Sequence, residues 1–414
     1  MRLLNTQPLK KRPKILYIQK PPGGGSVVAL YDMVKILDKE KFEPVILSYE
    51  LNKYTQVFNE LGVKTIFLNV KKKTGTGVAA KHKTPLRIFA PFRKLKRLII
   101  DDRRKSRQIA GILKENKIDL IHHNNDINDS RQGILANRKL RLPQICHYRS
   151  LKPYQKDPIN FGVDYFMAKN VNYHIFISHA VATHFTKNLK IKKQKSIVIR
   201  DIIDVKKFKP QVKNVAIQME FGIQDSDIVI SNIGRISRWK GQHIFIKALA
   251  EVIKEYPSVK ALVVGPSEPG IGDPKYLQEL QKLTEDLHLK DQVIFTGNRD
   301  DIPGILSISD LVIHSSIEPE PQGLVIVEAL FYGKPVIVSN DGGAAELIVN
   351  NQGGLKVSPG NPAELTKAIL NLIEYYKNNE FFINDTPRPL ILSEFNPARQ
   401  IQQIQQIYTS LLNH

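Results

Sequence analysis

Short apolar runs alternate with amphipathic segments along almost the whole of this 414-residue sequence. The runs have the length of buried strands, and the segments between them carry apolar residues at helical spacing. This alternation favours an α/β fold, in which helices cover a mostly parallel sheet. The runs predicted to be strands are 14–19, 44–47, 64–68, 118–121, 144–147, 174–177, 196–199, 228–233, 261–265, 293–297, 310–313, 336–339 and 355–357.

Chain length and cysteine content narrow the class of protein. Because 414 residues are long for a single core, we expect two domains of about 200 residues each. The single cysteine, Cys146, excludes an internal disulfide and a thiolate metal cluster and suits a reducing compartment. No apolar stretch of signal-peptide length follows the basic segment 1–14, and no run approaches about 18 apolar residues. We therefore expect a cytoplasmic protein that does not span a membrane.

Positive charge is concentrated in the first half of the chain. The whole sequence has a net charge of +21, but residues 1–210 carry 44 Lys and Arg against 16 Asp and Glu, a net +28. Residues 211–414 carry 17 against 24, a net −7. Such asymmetry indicates an anionic partner, either a nucleic acid or an acidic membrane surface. The first half contains no recognisable nucleic-acid-binding motif, so we do not expect a nucleic acid.

A basic segment at about 70–107 interrupts the alternation and contains a predicted helix. After Pro91, the residues Phe92, Leu95 and Ile99 recur at helical spacing. One interpretation is a solvated helix whose apolar stripe packs on the domain core. The other is an interfacial helix on the inner face of the cell membrane, where each well-placed cation contributes about 1 kcal/mol of binding to anionic lipid. The candidate membrane-binding residues are Arg93, Lys94, Lys96 and Arg97.

Two carboxylates and a glycine stand out in the stretch 315–346. The apolar run that ends at Ile313 is followed by a loop with two prolines, and Gly323 then opens an amphipathic helix. The free N–H groups at the start of that helix suit a phosphate. Glu320 precedes the helix and Glu328 lies within it, so an anion between them suggests a ligand of hydroxyls, phosphates and hydroxyls, the layout of a nucleotide sugar. The alternative is that both are ordinary solvated carboxylates.

Three motifs in this stretch carry a family resemblance. Glu320-Pro-Gln-Gly323-Leu-Val-x-x-Glu328-Ala is followed by Gly333-Lys-Pro-Val-Ile and by Gly342-Gly343-x-x-Glu346. Together they resemble the E-x7-E region of family 4 glycosyltransferases, which are retaining enzymes with the GT-B fold. The resemblance implies two Rossmann-like domains facing across a cleft. It assigns 1–208 to the acceptor and 209–392 to the nucleotide sugar, with a C-terminal helix in 393–414 packing back on the first domain.

The resemblance also implies an activity. A sugar would pass from a nucleotide-diphosphate sugar to an acceptor hydroxyl with retention of configuration, without a metal or other cofactor. The acceptor would be a sugar, a lipid-linked sugar or a glycolipid, in the synthesis of cell-envelope glycans or glycolipids. Asp225-Ser-Asp227 spells the D-x-D of metal-dependent transferases, but it precedes a strand and is better explained as turn chemistry.

Cations and backbone amides are expected to hold the donor diphosphate. After the strand 228–233, Arg235 offers a planar fork for two oxygens and Lys240 a point charge, at the family's spacing. The glycines that follow the first strand lie beside a helix that we expect Ser26 to cap, and they suit close approach of a phosphate or sugar. The residues expected at the diphosphate are Arg235, Lys240, Gly323, Leu324, Val325, Gly24 and Gly25.

The remaining donor contacts follow from the resemblance. Glu320 would orient the sugar hydroxyls as a catalytic residue, and Glu328 would accept a hydrogen bond from the ribose. The family's nucleobase slot lies near the turn after 293–297, so Arg299 is the candidate base contact.

Histidines follow two predicted strands of the first domain. His147 ends the strand 144–147, at the edge where open α/β sheets bind ligands. A lone histidine is more often structural, but the resemblance implies a catalytic role, because the family has a functionally important histidine after the corresponding strand. His122 and His123, after the strand 118–121, are candidate acceptor-side groups. Ser178 matches a recurrent family serine and is predicted to cap the next helix.

Two kinds of rival function remain open. Another enzyme on the same scaffold, such as a sugar-nucleotide epimerase or a phosphorylase, is conceivable because fold does not fix function. Neither explains the E-x7-E motif as well, and no lysine is identifiable as a pyridoxal-phosphate anchor. The rival from another class is a basic nucleic-acid-binding protein, which predicts salt-dependent affinity.

Overall fold

The computed structural model describes residues 11–20, 24–50, 53–68, 90–151, 158–208, 212–269, 271–348, 353–377, 391 and 394–413, without the side chains of 53–55, 90–101, 158–160, 205–206 and 376–377. The chain divides into two compact units. The first unit comprises Met1–Ile177, Val181–Ile202 and Pro397–His414. The second unit comprises Ser178–Ala180 and Ile203–Asn396.

A seven-stranded parallel sheet forms the centre of the first unit. Its strands are β1 (Lys14–Gln19), β2 (Glu43–Ser48), β3 (Lys64–Phe67), β4 (Leu120–His123), β5 (Gln144–Tyr148), β6 (Tyr173–Phe176) and β7 (Ser196–Val198). Their order, β3-β2-β1-β4-β5-β6-β7, is the doubly wound Rossmann order with a seventh strand added. The direction of winding reverses between β1 and β4, so ligands are expected at the carboxyl ends of these two strands.

Helices connect these strands. They are α1 (Gly25–Lys35), α2 (Lys53–Glu60), α3 (Ala90–Glu115), α4 (Ile127–Ala136), α5 (Pro158–Ala168) and α6 (His179–Leu189). Apolar side chains of α1, such as Leu30 and Val34, pack with Ile15 of β1 and Ile46 of β2 in one continuous core. Burial of both faces of the strands explains why they read as apolar runs in the sequence.

The second unit contains a six-stranded parallel sheet with the order β10-β9-β8-β11-β12-β13. Its strands are β8 (Ile228–Ile233), β9 (Val259–Val264), β10 (Val293–Gly297), β11 (Leu311–His314), β12 (Val336–Ser339) and β13 (Gly354–Val357). Its helices are α7 (Val215–Glu220), α8 (Gln242–Glu255), α9 (Pro274–Asp286), α10 (Ile302–Ile308), α11 (Leu324–Phe331), α12 (Gly342–Ala345) and α13 (Pro362–Lys377). The winding reverses between β8 and β11, which makes their carboxyl ends the expected ligand edge.

The last helix, α14 (Pro397–Leu412), belongs to the first unit. Ile401, Ile404, Ile407 and Tyr408 recur at helical spacing and are buried in the core that contains β1. The chain therefore ends by completing the unit in which it began, as the resemblance implied.

The boundaries between the units differ from those expected. We assigned residues up to 208 to the first domain and placed the terminal segment from 393. Ile203 and Phe208 are instead buried in the core of the second unit, and so is Phe395. Because their apolar contacts are made there, the second unit extends from Ile203 to Asn396.

Every predicted strand is present, although several bounds shift by one or two residues, and the predicted cap of α1 was wrong. β4 begins at Leu120 instead of 118, because the N–H of Ile118 bonds back to the carbonyl of Leu113 at 3.0 Å and so closes the end of α3. Ser26 does not cap α1. Gly24, with φ +90°, occupies the cap position and leaves Ser26 inside the first turn.

Among the helices of the described ranges, none is both long and apolar enough to cross a membrane.

Candidate active site

Two loops of the second unit interlock at the carboxyl ends of β8 and β11. The N–H of Ile317 donates to the carbonyl of Trp239 at 2.8 Å, and the Ser315 hydroxyl donates to the carbonyl of Gly241 at 3.0 Å. Gly241 has φ +69°, and a Cβ atom there would collide with the Ser315 carbonyl. The glycine in the Arg-Trp-Lys-Gly sequence is therefore required for the close approach that brings Lys240 to the second loop.

Lys240 and Glu320 form an ion pair in this interlocked region. The two side chains are 13% and 12% exposed, so the pair is largely shielded yet reachable by a ligand. Burial alone would raise the pKa of Glu320, but the Lys240 ammonium and the His314 hydrogen bond outweigh it, and the pKa lies well below its usual range. Glu320 is therefore a carboxylate at neutral pH, as a hydrogen-bond acceptor for sugar hydroxyls must be.

His314, the last residue of β11, completes this cluster. Its Nε2 lies 3.1 Å from Oε2 of Glu320. Burial and the charge of Lys240 lower the pKa of His314, so the ring is neutral. A carboxylate can only accept a hydrogen bond, so Nε2 carries the proton and donates it to Glu320. Sequence reasoning missed His314, although a polar residue ending a buried strand was a usable signal.

The backbone of Glu320 is held by the glycine pair of the third motif. Gly343 donates its N–H to the carbonyl of Glu320 at 2.6 Å, and Glu320 forms an isolated parallel bridge with Gly342. Gly342 has φ +76°, and a Cβ atom at this position would overlap the backbone of Glu320. The pair thus fixes where the carboxylate is presented.

The helix that follows Glu320 begins as the sequence predicted. Gly323 has φ +77° and is the N-cap residue of α11, so the first turn of this helix contains Leu324 and Val325. Glu328 is the fifth residue of α11, is half-buried and is engaged by other groups. Their expected roles toward phosphate and ribose stay predictions.

The two arginines expected at the donor lie in different surroundings. Arg235 is exposed, with its guanidinium carbon 5.8 Å from the centre of the Trp239 ring, so it is free to reach an anion. Arg299 forms ion pairs with Glu220 at 2.5 Å and with Asp301 at 2.6 Å. These two carboxylates occupy part of the Arg299 guanidinium. A nucleobase contact by Arg299 would therefore have to use its remaining N–H groups.

A buried polar chain in the first unit contains His147. Its Nδ1 lies 3.3 Å from Nε2 of His122, and Nδ1 of His122 lies 2.6 Å from the hydroxyl of Tyr408 on α14. Burial, followed by the charge of Arg149, lowers the pKa of both histidines well below the ordinary value. His147 lies one residue before the end of β5, close to the predicted strand end. His122 is the third residue of β4 and does not follow the strand as expected.

Arg149 anchors the next part of this edge. Its Nε donates to Oδ1 of Asp201 at 2.7 Å, and its guanidinium also donates to Asn124. Asn124 in turn donates to the side chain of Gln19, the last residue of β1. These contacts join the carboxyl ends of β1, β4 and β5. Neither Asp201 nor Arg149 was predicted as a site residue from the sequence.

The other residues of interest in the first unit are placed as follows. His123 points the other way from His122, toward Gln144 at 3.1 Å, and burial lowers its pKa to about 4. Gly24 caps α1 and Gly25 begins it. α6 begins directly after Ser178, and the capping role expected of Ser178 stays a prediction. Arg93, Lys94, Lys96 and Arg97 lie in α3, but their side chains lie outside the described residues.

The D-x-D sequence lies in a turn. Asp227 accepts a hydrogen bond from the N–H of Gln224 at 2.8 Å, and Asp225 accepts one from Gln218 at 3.3 Å. Within the described part of the chain, no group of three or more His, Cys, Asp or Glu side chains is arranged to hold a metal ion.

Comparison with known families accounts for both units. The model described as "Glycosyltransferase Family 4" matches residues 23–207, and the model "Glycosyl transferases group 1" matches residues 216–388. The chain belongs to the family 4 glycosyltransferases. Among relatives of this family 4 enzyme, spore coat protein SA of Bacillus subtilis is 26% identical over 297 residues, which cover 68% of this chain and 76% of that protein.

A further relative of this glycosyltransferase is the Escherichia coli UDP-Gal:alpha-D-GlcNAc-diphosphoundecaprenol alpha-1,3-galactosyltransferase, 25% identical over 76% of this chain and 81% of its own length. Among solved structures, Anabaena HepE in complex with UDP is 25% identical, with a TM-score of 0.78 over 96% of this chain and 100% of that chain. HepE has also been solved in complex with UDP-glucose. The two parallel-sheet units thus have the GT-B glycosyltransferase fold.

Proposed function

We propose that this glycosyltransferase moves a sugar from a nucleotide-diphosphate sugar to an acceptor hydroxyl with retention of configuration and without a required metal ion. The observation that carries the proposal is the shielded Lys240–Glu320 pair, which lies just before the N terminus of α11. An ammonium, a carboxylate and free helix amides side by side suit a ligand that presents phosphates next to hydroxyls. The UDP and UDP-glucose complexes of HepE support a donor of this class.

In the proposed reaction, negative charge develops on the leaving diphosphate. Cations and N–H groups that are already in position lower the barrier, because they stabilise this charge without reorganising. Lys240 and Arg235 would supply cations, and the amides at Gly323–Val325 would supply N–H groups, with Gly24 and Gly25 as further predicted contacts.

Glu320 would accept hydrogen bonds from the sugar hydroxyls and so orient the sugar. Glu328 would accept one from the ribose, Arg299 would contact the base, and His147 would contact the sugar or help to position the acceptor. Exclusion of water from the site would protect the donor from hydrolysis.

We further propose a lipid-linked sugar or a glycolipid as the acceptor, in the synthesis of the cell envelope. The E. coli relative supports this, because its name specifies a diphosphoundecaprenol-linked sugar. The protein would then work in the cytoplasm, at the inner face of the cell membrane.

A donor-hydrolysis screen tests the proposal. Release of nucleoside diphosphate from UDP-, GDP- and ADP-sugars is followed with and without liposomes that contain anionic lipid. We expect release from one donor, and a fall of roughly 100-fold in Glu320→Gln, the size of effect seen when a preorganised polar group is removed from an active site.

The matched control is Glu318→Gln, which removes a carboxylate from the same loop at an exposed position. It should retain the activity of the parent. Release from none of the donors, together with tight salt-sensitive binding of nucleic acid, would instead favour the nucleic-acid-binding rival.

A further inference from the structure

The buried line of hydrogen-bonded side chains that ends at His147 includes one more residue, Tyr17. The Tyr408 hydroxyl lies 3.1 Å from the hydroxyl of Tyr17 on β1 and 2.6 Å from Nδ1 of His122. Nε2 of His122 continues to Nδ1 of His147 at 3.3 Å. Four side chains from β1, α14, β4 and β5 therefore form an unbranched line of hydrogen bonds, and each is at most 1% exposed.

Both histidines in the line are neutral. Burial is the main cause that lowers the pKa of His122 and of His147, and the neighbouring Arg149 cation acts in the same direction. A neutral imidazole has one N–H donor and one bare nitrogen. The directions of the two bonds that His122 makes are therefore coupled, and the three bonds can be formed with the His122 proton on Nε2 or on Nδ1.

In the first arrangement, the protons point toward His147. Tyr17 donates to Tyr408, Tyr408 to Nδ1 of His122, and Nε2–H of His122 to Nδ1 of His147, so His147 carries its proton on Nε2. In the second, the protons point the other way. His147 donates from Nδ1, His122 donates to Tyr408, and one tyrosine hydroxyl proton is left over.

The surroundings of the two ends favour the first arrangement. The tyrosines lie in an apolar core, and among the described residues the Tyr17 hydroxyl has no hydrogen-bond partner other than Tyr408. The second arrangement would leave two buried groups unsatisfied, a tyrosine hydroxyl proton in this core and the bare Nε2 of His147, whereas the first leaves only the Nε2–H of His147. At the other end, Nε2 of His147 lies 3.9 Å from Oδ1 of Asp201. An N–H facing a carboxylate is favourable, whereas a lone pair facing it is repelled.

We propose that Tyr408 and His122 are positioning residues that hold His147 in the tautomer with its proton on Nε2. His147 is then a neutral hydrogen-bond donor and not a general base. Its Nε2 is buried and, within the described part of the chain, accepts or donates no hydrogen bond. A donor kept unpaired inside a fold is suited to an oxygen atom that arrives with a ligand.

The chemical class of that ligand atom follows from the tautomer. Nε2–H pairs with a hydroxyl or other oxygen of a sugar and cannot accept a proton from an acceptor hydroxyl. This consequence for catalysis depends on the proposed function, whereas the tautomer itself does not.

The tautomer is measured by NMR on protein labelled with ¹⁵N in histidine. Long-range ¹H–¹⁵N correlation spectra distinguish a protonated from a bare ring nitrogen, and loss of one signal set in His147→Asn assigns that set to His147. We expect a protonated Nε2 and a bare Nδ1 at neutral pH. The opposite pattern in the parent protein overturns the proposal, whatever the activity of any variant.

Two tyrosine variants test how the line works, because they remove equally buried hydroxyls that differ only in position. Tyr408→Phe removes the donor to His122, so both tautomers of His122 become accessible and the His147 spectrum should change to a mixture. Tyr17→Phe leaves Tyr408 donating to His122, so the His147 pattern should be retained. An unchanged spectrum in Tyr408→Phe, or the same change in both variants, contradicts the positioning role.

Steady-state kinetics provide the second readout. We expect Tyr408→Phe to lower kcat by roughly 5- to 10-fold, the factor that one ordinary hydrogen bond represents, with KM for the donor little changed. The Nε2 tautomer in a protein that hydrolyses no nucleotide sugar would leave this inference standing and refute the proposed function alone.

Discussion

Lys240 and Glu320 compensate each other's charge. Without its partner, either charge would be shielded from water and unpaired. The contact between them brings two expected binding roles side by side, because the cation is expected to bind the diphosphate and the carboxylate the sugar. His314 adds a neutral hydrogen-bond donor on the same Glu320 oxygen, so Glu320 would keep a partner if Lys240 bound a phosphate as proposed. The E-x7-E motif shows the carboxylate, but the residues that hold it, Lys240 after β8 and His314 at the end of β11, lie outside the motif.

The first residue-scale prediction concerns Lys240→Met, which removes the counter-charge and keeps most of the side-chain volume. We expect donor turnover to fall about 100-fold and the free energy of unfolding at pH 7 to fall by about 3 kcal/mol, since a carboxylate is left without its partner in a shielded site. The measurements are donor hydrolysis and urea unfolding. The control Lys254→Met breaks an exposed pair with Glu251 and should cost less than about 1 kcal/mol.

The pH dependence of that loss gives a sharper check. The folded-state pKa of Glu320 is depressed, so its ion pair contributes stability above the pKa of the unfolded chain, and the contribution is lost as pH falls through the folded-state value. Without Lys240, burial raises this pKa. The deficit of Lys240→Met should therefore be largest near pH 7 and smaller at about pH 4. An equal deficit at both pH values would show that the ion pair does not cause it.

At the scale of elements, the loop that carries Glu320 acts as a short extra strand. It bridges to Gly342 and receives the N–H of Gly343, which extends the site beyond the carboxyl ends of β11 and β12. The two glycines read as a family motif in the sequence. Their physical role is visible only where the two backbones meet, because it depends on a contact between segments about twenty residues apart.

The element-scale prediction compares two glycines with the same backbone conformation. Gly342 and Gly360 have φ +76° and +73°, but only the Cβ of an alanine at 342 would overlap another backbone, that of Glu320. We expect Gly360→Ala to lower the free energy of unfolding by about 1 kcal/mol, from the left-handed conformation alone. Gly342→Ala should lower it by roughly 3 kcal/mol and also reduce turnover. Equal losses of stability with unchanged turnover would refute the role assigned to the close approach.

At the scale of the whole molecule, charge is distributed by sequence half. The first half has a net charge of +28 and the second a net charge of −7, and the basic segment of α3 lies in the positive half. Donor chemistry is assigned to the second unit. An anionic lipid surface would therefore be met by the half that does not carry the Lys240–Glu320 cluster.

The molecule-scale prediction is that the protein binds liposomes containing anionic lipid and leaves neutral liposomes unbound in a flotation assay. Replacing Arg93, Lys94, Lys96 and Arg97 together by Gln should weaken the binding strongly, since each cation contributes about 1 kcal/mol near such a surface. A matched variant replaces by Gln the four exposed lysines at 254, 275, 282 and 290 of the second unit, and it should bind as the parent does. Equal recovery with neutral and anionic vesicles would remove the membrane hypothesis.

The sequence by itself determined the strands, the two parallel sheets and the family, because strand burial and helix periodicity are written locally and the E-x7-E motif is contiguous. Only the tertiary structure decided which polar groups meet. Lys240 reaches Glu320 across 80 positions of sequence, and Tyr408 reaches His122 across 286. Such contacts depend on how sheets and helices pack, which a linear pattern does not encode. The unit boundaries were misplaced for the same reason, since the burial of Ile203 and Phe208 is a property of the folded core.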